Sequence, residues 1–388
     1  MHNDFNSRWG FSSFALLIGI AALVVLAAPG RLAAQERAQQ IISFDVPNAG
    51  TGQYQGTLAL GINLEGTITG EVTDSGYGTH GFVGTLKGGF TEFDAPGADP
   101  VVGCTCVYAI NDFGVVAGNS IDTNSVSHVF VRTPDGKITV FDAPGAYIGP
   151  GSGTFINNAN SINILGAVVG FYYDSNFTAH GFLRAADGKI TTFDDPAAGK
   201  GAFQGTWPFG INDFGVIVGA TTYPDGTSHG LLRTPNGRNP DFEFPSATYS
   251  NTARINDLGV IAGSYSQEYL DSVPYDFAGY QLTPDGKLKT FTPSGSGTTT
   301  AYPDDGTWTN AENIFGATTG YFYNDEAEAY AFLRDANGKI VVFGYPDQAV
   351  VPGSYTGSFA YAINASGVIA GFWYDSNFAI HGFIRLPN

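Results

Sequence analysis

One phrase returns seven times along the chain: an Ile-Asn step, a Gly three residues after the Asn, another Gly seven after it, and a His-Gly-Phe-Leu-Arg-like run seventeen after it. The asparagines are Asn63, Asn111, Asn163, Asn212, Asn256, Asn313 and Asn364, at steps of 48, 52, 49, 44, 57 and 51 residues. A period near fifty is the mark of stacked supersecondary units, none of which can bury its apolar face alone.

Inside a unit the spacing is tighter than the period. Seventeen residues separate Asn from the His position in six copies (His80, His128, His180, His229, Tyr330, His381); the fifth has five extra residues before Ala278. Thirteen residues further on stands a Phe: Phe93, Phe141, Phe193, Phe242, Phe291 and Phe343. Length therefore varies mainly between that Phe and the next Asn. The rigid block reads as β: Phe209 to Asn212, a Gly-containing turn, then β-branched Val216 to Val218, and in the third copy His180 to Arg184, a turn at Asp187-Gly188, then Lys189 to Asp194. Four short strands per unit result, most closed by a proline (Pro47, Pro96, Pro144, Pro196, Pro293, Pro346) whose missing N–H ends the ladder.

Seven such units predict an all-β, seven-bladed β-propeller of four-stranded blades. The last copy stops after its third strand, while an orphan strand at Ile42 to Val46 precedes the first, so the N-terminal strand is expected to complete the last blade and remove two exposed edges. The first strand of each blade should line the channel. Two residues before Asn stand Gly61, Ala109, Ser161, Gly210, Arg254, Ala311 and Ala362, mostly small as a crowded axis requires, and the Ile that follows, replaced once by Glu312, should pack between blades. Six before Asn, the polar set Thr57, Thr105, Asn157, Thr206, Ser250, Thr307 and Ser358 is expected as a ring at one channel mouth.

Residues 1–34 differ: Arg8, an apolar run from Phe14 to Ala28, then Leu32-Ala33-Ala34. This reads as a secretory signal peptide, with an uncleaved N-terminal anchor as the alternative, because the apolar core is too short to span a bilayer comfortably. Residues 35–41 are a linker and 42–388 a single propeller domain. A secreted, periplasmic or extracellular monomer with no membrane span after cleavage is expected. Cleavage leaves 34 acids against 15 bases, a charge of −19, which repels phosphate backbones and excludes nucleic acid as a natural partner. Cys104 and Cys106 are the only cysteines. At i and i+2 of one strand their Cα atoms lie at or beyond comfortable disulfide reach, although an oxidising compartment permits the bond. Two sulfurs fall short of a metal site, and no metal or cofactor is expected.

Ile-Asn-x-x-Gly-x-x-x-Gly, His-Gly-Phe-Leu-Arg, Asp-Gly-Lys-Ile-Thr and Phe-Asp-x-Pro-Gly-Ala resemble the bacterial extracellular HAF-repeat family over about residues 42–388. The resemblance implies a secreted repeat protein of propeller type, with no established activity and no catalytic residues to carry over.

Ring symmetry keeps the repeated histidines too far apart to share one metal, so they read as groups hydrogen-bonded within their blades, and Arg132, Arg184, Arg233, Arg334 and Arg385 likewise serve the fold. Asp45, Asp94, Asp142 and Asp194 read as turn caps. There is no nucleophile elbow, zinc-protease helix, phosphate loop or calcium loop. Function is therefore sought where the blades differ. The fourth-to-first and second-to-third connections emerge on one face, which carries Tyr172, Tyr173 and Asp174; Tyr223 and Asp225; Tyr321 and Tyr323; Trp373, Tyr374 and Asp375; and Trp207, Trp308, Asp304 and Asp305.

Aromatics with polar tips beside carboxylates suit sugar rings. The expected function is a binding or scaffolding propeller for polysaccharide or another cell-envelope component, with Tyr173, Trp207, Trp308 and Tyr374 as ligand residues. The alternative is a carbohydrate-active lyase or hydrolase using Asp174, Asp225, Asp305 or Asp375. Phe171-Tyr-Tyr-Asp-Ser-Asn-Phe177 nearly repeats as Phe372-Trp-Tyr-Asp-Ser-Asn-Phe378, which weighs against catalysis, since an active site would be asymmetric.

Overall fold

The computed structural model describes residues 41–99, 101, 103–239, 249–266, 277–297 and 306–387. Among them the chain is an all-β propeller: antiparallel units follow one another, each meeting the next through short parallel bridges or side-chain packing. Unit 1 is typical, with strands Gly56–Ile62, Ile68–Thr73, Thr79–Thr85 and Gly89–Phe93. The signal-peptide expectation, Phe242 and the long connections holding Asp304 and Asp305 lie outside the described residues. No helix among the described residues is long and apolar enough to cross a membrane.

The repeated asparagine explains its own recurrence. Asn63 Oδ1 accepts the N–H of Thr67 at 2.9 Å, closing the first hairpin turn, while Nδ2 donates to the carbonyl of Asn111 in the next unit. The same reach runs Asn111 to Asn163, Asn163 to Asn212, Asn212 to Asn256, Asn256 to Asn313 and Asn313 to Asn364. Asn364 Nδ2 then donates to Asn63 O at 2.9 Å, so the chain of contacts returns to its start. The Gly three residues on supplies the positive φ of that turn, between 75° and 82° in all seven copies. Asn212 has three such bonds, to Phe214 N, Val216 N and Asn256 O. Asn212→Ala should therefore destabilise by about 2 kcal/mol, because buried backbone groups are left unpaired. A shifted urea midpoint at constant slope would register it, and an unmoved midpoint would refute the assignment.

Other repeated residues join neighbouring units. The Phe that ends one unit's fourth strand lies under the Arg that ends the next unit's third: Arg132 over Phe93, Arg184 over Phe141, Arg233 over Phe193, Arg334 over Phe291 and Arg385 over Phe343, at 4.3–5.0 Å from the ring centroids. The Ile before Asn is buried between units: Ile62 packs with Ala362 and Ala370, and Ile363 with Ala311 and Phe343.

Two expectations fail for one local reason each. The small residues two before Asn do not line the axis. A β-bulge one residue earlier, seen between Ala59 and Gly61 and repeated at Val107/Ala109 and Ala360/Ala362, flips the alternation. Ala109 and Ala362 thereby pack between units, and the preceding Leu60, Tyr108 and Tyr361 share one cluster drawn from units 1, 2, 6 and 7, which can meet only near the axis. Nor do the threonines six before Asn ring a channel mouth. Thr57, Thr105, Thr206 and Thr307 are fully buried, and the first three accept the backbone N–H of Val46, Ala95 and Asp195 in the loop leaving the previous unit. In unit 3 this role falls to Thr154, not Asn157, because its first strand, Thr154–Phe155, carries extra residues before Asn163.

The N-terminal strand is Ile41–Phe44, pairing antiparallel with Ile380–Arg385 of the last unit in the register Ile42↔Ile384. It ends before Val46, whose N–H has left the ladder for Thr57. Cys104 and Cys106 form a disulfide, with Cα atoms 5.4 Å apart. The strand is locally shortened to a spacing that permits the bond.

Candidate ligand face

In units 1, 2, 3, 6 and 7 the second hairpin opens on an Asp or Asn that folds its own turn, while unit 4 has Tyr223 there. Asp174 Oδ1 accepts from Asn176 N and Thr178 N, and Asp375 Oδ1 from Asn377 N and Ala379 N; Asp74 and Asp122 do the same. The other oxygen faces the repeated His. His180 Nε2 lies 3.7 Å from Asp174 and its Nδ1 2.9 Å from Asp194; His80, His128 and His381 stand between Asp74 and Asp94, Asp122 and Asp142, and Asp375 and Asp45. Asp45, Asp94, Asp142 and Asp194 are thus histidine partners and not turn caps. A flat ring covers the imidazole, Tyr172 on His180 and Trp373 on His381. Tyr172 and Trp373 are therefore buried supports, unavailable to ligand. Hydrogen bonding to Asp45 raises His381 above the ordinary histidine value.

These geometries reassign the carboxylates. Burial works to raise Asp174, but the N–H groups of Thr178 and Asn176 outweigh it and hold the carboxyl below its usual range. Asp225 is lowered by the hydroxyl and N–H of Thr227. Both are committed turn-forming anions without the raised pKa a general acid needs, and Asp375 is engaged in its turn by the same pair of backbone bonds. Asp305 lies outside the described residues.

The fourth-to-first loops cross above these turns. Tyr54 N donates to Phe378 O, Phe203 N to Phe177 O and Tyr355 N to Ala327 O, which confirms that both sets of connections share one face. Each of these loop aromatics has positive φ, 60° for Tyr54, 60° for Phe203 and 55° for Tyr355, and so do Tyr77, Phe177 and Phe378 in the turns below. A left-handed conformation costs a bulky L-residue roughly 1–2 kcal/mol. The glycine two residues later is obligatory: a Cβ on Gly56, Gly205 or Gly357 would lie about 2 Å from the carbonyl oxygen of Ile380, Ala179 or Ala329.

Aromatic rings gather at three junctions as a result. Between units 7 and 1, Tyr54 meets Tyr374 edge-on at 6.5 Å and Phe378 at 6.2 Å, and remains 48% exposed. Between units 3 and 4, Phe203 lies 6.0 Å from Tyr173 and 5.9 Å from Phe177. Between units 6 and 7, Tyr355 meets Tyr323 at 5.2 Å. Tyr173 and Tyr374 are the floors of these groups, and burial raises both phenols, Tyr374 to about 12.

Trp207 and Trp308 are not on the long connections. They lie in the first strands Gly205–Ile211 and Gly306–Glu312 and pack sideways, Trp207 against Phe171 and Tyr173, Trp308 against Phe277. The sequence reading missed Tyr54, Phe203 and Tyr355, although an aromatic two residues before a loop glycine recurs in Tyr54-Gln-Gly56, Phe203-Gln-Gly205 and Tyr355-Thr-Gly357.

A second asymmetric group sits near the axis. Glu71, from the second strand of unit 1, is raised by burial to about 8 and is electrostatically coupled to Tyr108 and Tyr361. Arg254 of unit 5 is lowered by burial to about 9 and is also coupled to Tyr361. On the hairpin turns next to the asparagine ring, away from the loop face, Phe113, Leu165, Phe214, Leu258 and Phe315 are exposed.

No profile of a known protein family matches the chain, and no curated protein matches it. Solved structures do. A lectin from Burkholderia pseudomallei, BP39L, is similar over 87% of this chain and 97% of its own, at 9% identity and a TM-score of 0.47. The β-propeller domain of the Trilobed protease from Pyrococcus furiosus covers 88% and 95%, at 11% identity and a TM-score of 0.46. Aleuria aurantia lectin in complex with Fucalpha1-6GlcNAc covers 76% and 96%, at 10% identity and a TM-score of 0.41.

Proposed function

We propose that this chain is an exported β-propeller of seven blades, closed by its N-terminal strand, that binds polysaccharide through the aromatic residues of its loop face. The observation that carries the reading is the aromatic ring in a left-handed backbone conformation on the loop face, exposed at Tyr54 and Tyr77 and half-buried at Phe203 and Tyr355. The same backbone is built with Gly151 at the equivalent loop position between units 2 and 3, and with Ser125, Ala327 or Gly226 at the equivalent turn position of other units, so the fold does not require a ring there. Strain retained where glycine would serve points to a use for the side chain. Aromatic faces flanked by the oxygens and amides of Asp375 and Asn377, or Asp174 and Asn176, offer the apolar platform and polar rim a pyranose needs. The repeat motif's resemblance to extracellular HAF repeats and the Cys104–Cys106 disulfide support export.

Mature protein should be retained by at least one neutral polysaccharide in a panel of cellulose, xylan, curdlan, mannan and starch. Retention should persist in 0.5 M NaCl, about a 4 Å screening length, because stacking does not depend on charge. Passage through every matrix unretained would defeat the proposal.

A further inference from the structure

Building on the glycan reading, we infer that the loop face is multivalent: the junctions of units 7 and 1, 3 and 4, and 6 and 7 are three separate subsites for neutral pyranose units, centred on Tyr54, Phe203 and Tyr355. The three share one construction. In each, an aromatic residue with φ near +60° enters from the fourth-to-first loop, donates its backbone N–H to the turn of the preceding unit, and sets its ring within 5.2–6.5 Å of the Tyr at the end of that unit's second strand. The polar rim recurs as well, since each neighbouring turn opens on an Asx residue, Asp375, Asp174 or Asn324.

The junction of units 2 and 3 is an internal control. Gly151 and Ser125 hold its two positive-φ positions, the crossing bond from Gly151 N to Ser125 O is kept, and neither position bears a ring. The backbone framework is thus general and the aromatic furnishing selective. The three loop aromatics stand at different junctions, and clustered turn carboxylates on a chain of charge −18 favour uncharged sugars over uronates. Several weak subsites on one rigid face bind a repeating polymer far more tightly than one sugar.

The test is titration calorimetry of the whole mature protein with cellobiose, xylobiose, laminaribiose, mannobiose and maltose, and with digalacturonate as the charged probe. Glycine variants are chosen because glycine accepts φ near +60° without strain, so Tyr54→Gly, Phe203→Gly and Tyr355→Gly should keep the melt of the parent. Each should lower the number of binding sites by one while leaving the dissociation constant of the remainder unchanged. The triple variant should lose binding of the matching polymer by more than ten-fold, and digalacturonate should give no heat. One site per chain in the parent, or a changed dissociation constant at constant stoichiometry, would overturn multivalency while leaving glycan binding in place. Silence from every neutral probe, with no polymer retained, would overturn both.

Discussion

A mature chain begun at Asn48 should melt about 10 °C or more below one that keeps residues 41–47, and should be prone to aggregate. The segment is short but holds the last unit from several sides. Ile41 to Phe44 form the ladder with Gly382 to Arg385, Phe44 stacks on Phe90 of unit 1 at 5.0 Å, and Val46 is buried beside Ile62 and Ile68. Ser43 Oγ accepts the indole N–H of Trp373 at 2.9 Å, and Asp45 holds His381 at 3.0 Å. Apolar burial alone is worth about 5 kcal/mol at three large side chains, before the unpaired edge of the last unit is counted. Differential scanning calorimetry of the two chains decides the matter; coincident melts would show that the ring closes without this strand.

The second large effect is a pH dependence at Glu312. This carboxylate replaces the Ile found before Asn in the other six units, is 6% exposed, and accepts from Asn256 Nδ2 at 2.8 Å and Gln281 Nε2 at 2.9 Å, while Arg334 donates to Gln281. Burial raises its pKa from 4.5 to about 7, although Gln281 and Arg334 pull the other way. A carboxyl that is harder to ionise when folded contributes stability that is complete below pH 4.5 and is lost as pH rises to about 7. The loss amounts to about 3 kcal/mol. Glu312→Gln removes the titration, so the variant should gain that much on the wild type between pH 4.5 and 8 in urea unfolding. A constant difference across that range would mean that Glu312 is ionised throughout.

Much of this architecture was legible in the repeat. Asn at a fixed spacing from Gly and His marked turns and strands because the side chain that caps one hairpin also bonds the next unit, and such a residue cannot drift in register. The orphan strand before unit 1 announced the pairing with unit 7 for the same reason of unmatched edges. The candidate site was less readable. Tyr173 and Tyr374 were picked out by their place at the end of second strands, and they do lie beneath the loop aromatics. Trp207 and Trp308 were misplaced because the chain does not reveal where a long loop ends and a strand begins. Their rings turn sideways into neighbouring units.

What the sequence by itself determined is the set of local, repeated choices: turn glycines, strand periodicity, the asparagine and the Phe–Arg spacing, all enforced within one unit or between neighbours. Only the tertiary structure decided what reaches across the fold. A β-bulge shifted the axial lining from Ala109 and Ala362 to Tyr108 and Tyr361, and an Asp fourteen residues beyond a histidine became that histidine's partner. Loop aromatics were drawn into left-handed backbone against the preceding unit. Each of these depends on where a neighbouring strand lies in space, and side-chain direction in a sheet reverses with a single extra residue.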